Sequence, residues 1–276
     1  MSANADVTVV VTNYNYGRFL PEAVASALDQ EGGAPRVIVV DDGSTDPDTD
    51  AVLAALPEEV QVVRQANAGL SAARNAGLSR AATAFLIVLD ADDRLLPGAL
   101  AALRAPLLAE GAPLGFSYGI TRFFGDWEGI LDMPPYDPFK LLYRHMIGST
   151  ALMRRELFEA TGGFDRAFRG FEDWEFWLHA LEHGWIGRRV EVETFLYRRH
   201  GQTMVSGARQ NYRHWYRLLR RKHAALYARR AELAARTGAS RSEQLVYRWF
   251  WGARPIPARV EQAIYAVRWR AARRAT

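Results

Sequence analysis

Over the first hundred residues the apolar positions fall into short runs separated by longer mixed stretches. Val7–Thr12 and Val37–Val40 are continuous apolar runs of strand length, the pattern of strands covered on both faces. Two further strands are predicted at Val60–Arg64 and Ala84–Leu89. The stretches between them read as helices: Phe19–Gln30, stopped by Gly32, Gly33 and Pro35; Leu70–Ala81; and, after the fourth strand, Pro97–Leu108. Strand and helix in alternation predict parallel βαβ units, hence an α/β fold with a Rossmann-like, mostly parallel sheet and helices on both faces. Right-handed crossovers would place the carboxyl ends of these strands along one sheet edge, where open α/β sheets bind ligands.

From Gly111 to about Gly148 the pattern breaks into Gly, Pro and aromatic residues, which predicts loops and short strands. Helical spacing returns at Arg154–Thr161, ended by Gly162 and Gly163, and at Asp173–His183, ended by Gly184. A short strand-like run, Phe195–Tyr197, precedes two more helical patterns, Asn211–Arg236 and Pro257–Arg274.

Three polar loops close the predicted strands: Thr12-Asn13-Tyr14-Asn15, Asp41-Asp42-Gly43-Ser44 and Asp90-Ala91-Asp92-Asp93. Strand periodicity puts Asp90 and Asp92 on one side. Carboxylates that close repel unless a proton or a cation intervenes, and a hard divalent ion shared with phosphate oxygens would resolve the conflict. A solvated acidic turn is the alternative. Asp41 could accept hydrogen bonds from a base or a ribose, or simply shape a turn. Arg74, on the helix after Gly69, suits phosphate recognition, with a surface salt bridge as the other reading.

Composition narrows these choices. With 276 residues and 49% hydrophobic content the chain can bury a full core. No apolar run reaches membrane-spanning length, and Met1–Asp6 lacks a signal-peptide pattern, so a cytoplasmic or membrane-peripheral protein is expected. There is no cysteine, so any metal must be held by Asp, Glu, His or water. The net charge of +4 conceals a basic segment, residues 207–276, with 17 Lys and Arg against 3 Glu, attached to an acidic body. Within it Val260, Ile264 and Val267 fall at helical spacing before Arg268, Arg270, Arg273 and Arg274. Such a helix can lie on an anionic membrane, which would place the protein at the inner face of the cell membrane, or it can pack on the body.

Taken in order, Val9–Asn15, Val39–Asp46, Asn67-x-Gly69 with Ala73-Arg74-Asn75-x-Gly77, Leu89–Asp93, Ser149–Glu156, Gly162–Asp165, Glu172-Asp173 and Tyr197–His200 resemble the family 2 nucleotide-sugar glycosyltransferases. The resemblance spans about residues 7–206. It implies a GT-A fold over residues 1–206, with a nucleotide-binding half at 1–110 and an acceptor-binding half at 111–206, followed by a basic helical extension at 207–276. It further implies that Thr12 and Tyr14 line the base pocket, that Asp41 reads the base and that Arg74 contacts the nucleotide. Asp90 would hold the ribose or sugar side, and Asp92 would ligate Mn²⁺ or Mg²⁺. His200 would contact the metal or the diphosphate, Glu172 and Trp174 would lie on the acceptor or diphosphate side, and Asp173 would be the general base. Trp174 also has a core reading, since Trp at helical spacing packs inward.

The implied activity is inverting transfer of a sugar from a nucleotide diphosphate sugar, UDP-linked by expectation, to a carbohydrate or lipid-linked acceptor in surface polysaccharide or lipid-linked glycan synthesis. A non-catalytic nucleotide-sugar binding protein of the same fold is the alternative. A dinucleotide oxidoreductase would need Gly-x-Gly-x-x-Gly where this chain has Thr12-Asn13-Tyr14-Asn15-Tyr16-Gly17. A nucleic-acid partner would explain none of the acidic loops and is not expected.

Overall fold

The computed structural model describes residues 4–131, 133–200 and 211–251. The helical pattern at 257–274, with Val260, Ile264, Val267 and its arginines, lies outside them. The chain divides into two compact units, Met1–Tyr136 with His145–Thr203 and Asp137–Arg144 with Met204–Thr276.

The first unit is built on one sheet. Strands β1 (Val7–Asn13), β2 (Arg36–Asp41), β3 (Val60–Arg64) and β4 (Phe85–Asp90) lie parallel in the order β3-β2-β1-β4. β1 is thus the point at which successive crossovers turn in opposite directions. Five more strands extend the sheet: β5 (Arg94–Leu95), β6 (Leu114–Gly125), β7 (Gly129–Leu131), β8 (Leu152–Arg154) and β9 (Ile186–Arg199). β8 joins β4 antiparallel, β6 follows β8 antiparallel, and β9 runs parallel to β6.

Alternation along the strands builds two cores. Val7, Val9 and Val11 of β1, with Val37, Val39, Ile87 and Leu89, pack against α1 (Leu20–Leu28) and α4 (Ala99–Ala109) through Leu20, Val24, Leu100 and Leu103. Val10 and Val40 point to the other face and meet α3 (Leu70–Leu78). The approach is close enough that a Cβ on Gly77 would lie 2.2 Å from a Val10 methyl. Only glycine lets α3 settle at that depth.

Three expectations need revision. The six-residue helix α2 (Thr49–Ala54) was not foreseen between β2 and β3, because it is too short to show a period. The broken pattern after Gly111 contains the twelve-residue β6, and the short run at Phe195–Tyr197 is part of the fourteen-residue β9. These two pair with each other across some seventy residues of chain, a non-local partnership that neither run advertises by itself. Helices α6 (Arg155–Thr161) and α7 (Glu172–Glu182) fall where their spacing placed them, α6 ending on Gly162 in the left-handed conformation.

In the second unit α5 (Pro138–Leu141) is capped by Asp137, which accepts from the backbone N–H groups of Phe139 and Lys140. The predicted helix Asn211–Arg236 is three helices, α8 (Tyr212–Lys222), α9 (Ala224–Ala228) and α10 (Arg230–Arg236), broken at His223 and Arg229. They are followed by α11 (Arg241–Val246) and a π-helical turn at Tyr247–Trp251. The break lets Tyr227 reach back to donate to the Leu142 carbonyl at 2.5 Å, while Lys140 pairs with Glu243 at 2.9 Å. Among the described residues no helix is long and apolar enough to cross a membrane.

Candidate active site

At the carboxyl end of β1, register decides which side chains meet. Thr12 stands beside Asp90 of β4 and Asn13 beside Asp41 of β2. Thr12 Oγ1 donates to Asp90 Oδ1 at 3.1 Å, and Asn13 Nδ2 donates to Asp41 Oδ1 at 2.9 Å. Ser44 closes over Asp41, its hydroxyl donating at 2.5 Å. Its neighbour Asp42 serves the backbone, accepting from the N–H groups of Ala68 and Gly69 at 2.9 and 2.8 Å and from Gln65 Nε2 at 2.7 Å. Asp42 thereby anchors the loop that starts α3. Gly43 has φ +74°, and a Cβ there would lie 2.7 Å from the Asn67 nitrogen, so this turn requires glycine. Tyr14, 45% exposed, is free to meet a ligand, in contrast to the buried Thr12.

Arg74 lies one helical turn before Gly77, and the depth of α3 carries it into the protein. It is 2% exposed. Its Nη2 donates to both oxygens of Asp90, at 3.0 and 3.2 Å, and to Ser149 Oγ at 3.1 Å, while Nη1 donates to Glu172 Oε1 at 2.9 Å. Burial works against its charge, but Asp90 and Glu172, with Asp173 behind them, outweigh this and hold it protonated. The family resemblance implies that Arg74 contacts the nucleotide. In the structure its guanidinium is the buried counter-ion of the acidic cluster.

Glu172 and Asp173 open α7 side by side, and their surroundings drive them apart. Burial and the charge of Asp173 raise the Glu172 pKa, with Arg74 only partly opposing. Burial would also raise Asp173, but the imidazole of His145, at 2.9 Å from Oδ2, and the charge of Arg74 bring it below the ordinary carboxylate value. Of two adjacent carboxyls, Glu172 therefore takes a proton first and Asp173 stays ionised. Trp174, next along α7, is fully buried against His145 and Phe171 and presents no free face to a sugar.

Beyond Asp90 the strand ends and the chain turns, the Asp93 N–H donating to the Asp90 carbonyl at 3.0 Å. Strand periodicity therefore does not extend to Asp92. Asp92 faces His200 instead, Oδ2 to Nε2 at 2.8 Å. Burial raises the Asp92 pKa and Asp90 adds to this, with the His200 hydrogen bond pulling it back. Asp93 is buried and accepts from the Arg198 backbone N–H at 2.8 Å, and Arg198 Nε donates to the Asp92 carbonyl at 2.8 Å. His200 is packed between Tyr16 and Phe19, ring centroids 5.3 and 5.1 Å away.

Among the described residues no group of three or more His, Cys, Asp or Glu side chains converges as a cage for a metal. Asp92 and His200 are hydrogen-bonded to each other, and freed of that bond they would offer one carboxylate oxygen and one imidazole nitrogen. Such a pair suits a divalent cation whose remaining ligands come from phosphate oxygens and water.

The residues that sequence reasoning missed are those that support the others: Asn13 and Ser44 around Asp41, Ser149 on Arg74, Arg198 behind Asp92, and above all His145 on Asp173. His145 sits in the irregular stretch before Gly148, where spacing carries no signal. Asn13, Ser44, Ser149 and Arg198 lie inside the motifs of the family resemblance, but motif membership alone gives them no role.

The family model for glycosyl transferase family 2 matches residues 8–162. Among curated relatives, the succinoglycan biosynthesis protein ExoO of Rhizobium meliloti is 34% identical over 206 residues, covering 68% of this chain and 58% of that protein. An uncharacterized glycosyltransferase of Nostoc sp. is 38% identical over 90 residues, 32% of this chain and 28% of its own length. The chain thus spans little more than half of one of these relatives and under a third of the other. A PGL/p-HBAD biosynthesis glycosyltransferase of Mycobacterium tuberculosis is 29% identical over 178 residues, 61% of this chain and 67% of that one. Among solved structures, S. aureus TarS 1–349 in complex with UDP-GlcNAc superposes with a TM-score of 0.64 at 19% identity, covering 88% of this chain and 76% of that one. That likeness is one of fold and agrees with the GT-A architecture. The family match covers more than half of the chain, and its range takes in the loops that carry Thr12, Asp41, Arg74, Asp90 and Asp92; the chain belongs to glycosyl transferase family 2.

Proposed function

We propose that this protein is an inverting, divalent-metal-dependent glycosyltransferase that moves a sugar from a UDP-linked donor to an acceptor hydroxyl in surface polysaccharide or lipid-linked glycan synthesis. The observation that carries the reading is Asp173: a carboxylate held ionised by His145 and Arg74, in the same cluster as Asp90. A sugar hydroxyl is a poor nucleophile, and a carboxylate that removes its proton supplies about 10²–10⁴-fold in rate. The acceptor oxygen attacks the anomeric carbon as its proton passes to Asp173, the bond from that carbon to the diphosphate breaks, and the nucleoside diphosphate departs. Attack opposite the leaving group inverts the anomeric configuration.

Asp41, with Thr12 and Tyr14, serves the nucleoside end, and Asp90, fixed by Arg74, the ribose or sugar side. Asp92 and His200 would hold Mn²⁺ or Mg²⁺, which supplies charge stabilisation to the departing diphosphate. The UDP preference takes support from the fold shared with TarS, solved with UDP-GlcNAc, and the polymer class from the named role of ExoO in succinoglycan synthesis.

The test is release of UDP from UDP-GlcNAc, UDP-glucose and UDP-galactose with Mn²⁺ or Mg²⁺, by wild type and Asp173→Asn. Turnover of at least one donor, lost in the variant, supports the reading. UDP binding without turnover of any would favour a non-catalytic nucleotide-sugar binding protein of the same fold.

The same reading places the protein at the cytoplasmic face of a membrane. Residues 207–276 carry a charge of +14, and Leu245, Val246 and Trp249 of the second unit are 54%, 53% and 74% exposed beside exposed arginines. Apolar and basic groups together fit an anionic lipid surface. Flotation with phosphatidylglycerol vesicles, on the full chain and on a deletion of residues 257–276, decides it; equal and negligible binding by both would remove the membrane.

A further inference from the structure

Beyond helping to keep Asp173 ionised, His145 makes contacts whose geometry bears on how that carboxylate is held. Its Nε2 lies 2.9 Å from Asp173 Oδ2 and 3.0 Å from the Ile147 carbonyl oxygen. A carbonyl only accepts, so the hydrogen must sit on Nε2, and the neutral ring is held in that tautomer. The ring is kept in place by Trp174, stacked at 6.3 Å, and by the edge of Phe171 at 5.7 Å. Among the described residues, the other hydrogen bond to the Asp173 carboxylate comes from the backbone N–H of Trp174, to Oδ1 at 2.8 Å. Both oxygens are thus pinned, and the side chain is still 16% exposed to meet an acceptor.

We propose that His145 is a positioning residue for the transfer reaction: its Nε2–H fixes the Asp173 carboxylate in orientation, and the charge state of its ring sets how strongly that carboxylate takes a proton. The proposal rests on the reading of Asp173 as base. The charged groups that act on the imidazole are Asp173 and Glu172 of α7, and Arg74 of α3 acts on Asp173 from the other side. Burial disfavours the imidazolium, but the two carboxylates outweigh it, so the ring keeps its second proton, on Nδ1, above its ordinary 6.5. While that proton is present the imidazolium neutralises the base. When it leaves, Nε2–H remains as a donor and Asp173 recovers its proton affinity. Activity should therefore rise with pH along a limb that belongs to the His145–Asp173 pair and not to Asp173 alone.

The test is the pH–rate profile between about pH 5 and 9, with the UDP-sugar turned over fastest in the screen above, for wild type, His145→Gln and His145→Ala. Gln keeps an N–H donor that does not titrate: its profile should lose the ascending limb while turnover stays within about tenfold of wild type. Ala removes the donor and should fall well below Gln at every pH. Long-range proton–nitrogen NMR of the histidine rings gives a readout independent of turnover. In wild type His145 should carry its neutral-form hydrogen on Nε2 and titrate above 6.5, and in Asp173→Asn it should titrate lower. A Gln profile that superimposes on wild type, or a His145 titration indifferent to Asp173→Asn, overturns the proposal. Should Asp173→Asn turn over normally, the base assignment itself fails, whatever His145 does.

Discussion

Arg74 and Asp90 meet face on, one guanidinium nitrogen donating to both carboxylate oxygens at 3.0 and 3.2 Å, with Arg74 almost wholly buried and Asp90 still 30% open on its side chain. A buried cation thus supports the edge of an acidic site from behind. The other nitrogen reaches Glu172, ninety-eight residues away, so one side chain of α3 ties β4 to the start of α7.

Arg74→Ala should therefore act first on stability. Removing one partner of a buried ion pair costs about 3–5 kcal/mol because the other charge is left uncompensated; here part of that is relieved at the exposed side of Asp90. A loss of about 3 kcal/mol in urea unfolding is expected, and Arg74→Lys should recover only a fraction, since an ammonium cannot span Asp90, Ser149 and Glu172 together. Wild-type stability in Arg74→Ala would show that the cluster does not depend on this cation.

Asp173→Asn should lower donor turnover by about 10²–10⁴-fold while calorimetry shows UDP binding unchanged. Loss of UDP affinity in step with turnover would mean that the side chain holds the donor and does not act as base.

The His145–Asp173 pair should leave its mark on stability against pH. Asp173, lowered in the fold, contributes stability that is present above its ordinary 3.8 and lost as pH falls through its folded value. His145, raised in the fold, contributes stability present below its ordinary 6.5 and lost as pH rises through its folded value. The melting temperature of wild type should exceed that of Asp173→Asn most between these two values and converge on it at higher pH. A difference that keeps growing above neutrality would contradict the pairing.

Asp92→Asn or His200→Ala should weaken Mn²⁺ binding in the presence of UDP by more than the roughly 10–100-fold that loss of an outer-shell partner costs, followed by electron paramagnetic resonance of free Mn²⁺. An unchanged titration in both would remove this pair as the metal site.

Gly77→Ala tests the fold beneath the site. Its Cβ would stand 2.2 Å from a Val10 methyl and 3.0 Å from one of Val40, and overpacking of this kind costs about 1–3 kcal/mol. Because α3 must lift to relieve it, Arg74 would be drawn off Asp90, so stability and turnover should fall together. A variant as stable as wild type would mean that α3 sits less deeply than described.

Much of the first unit was legible in the sequence because its signals are local. Continuous apolar runs marked β1, β2 and β4, breaker residues ended α1, α6 and α7, and parallel topology alone required the loops of Thr12, Asp41 and Asp90 to share an edge. Asp173 entered only through the family resemblance, and in the structure Arg74 ties its neighbour Glu172 to Asp90. What the sequence could not determine was which polar groups answer one another. Whether Arg74 faces a ligand or a buried carboxylate depends on how deeply α3 settles over Val10. Whether Asp92 pairs with Asp90 or with His200 depends on a turn that cancels strand periodicity. That His145 rests on Asp173 depends on a contact between an irregular segment and a helix twenty-eight residues later. Local spacing selects secondary structure through steric and hydrophobic terms that act within a few residues. The charge and protonation of a buried group are set by whatever the tertiary fold brings within a few ångströms, and only the folded chain decides that.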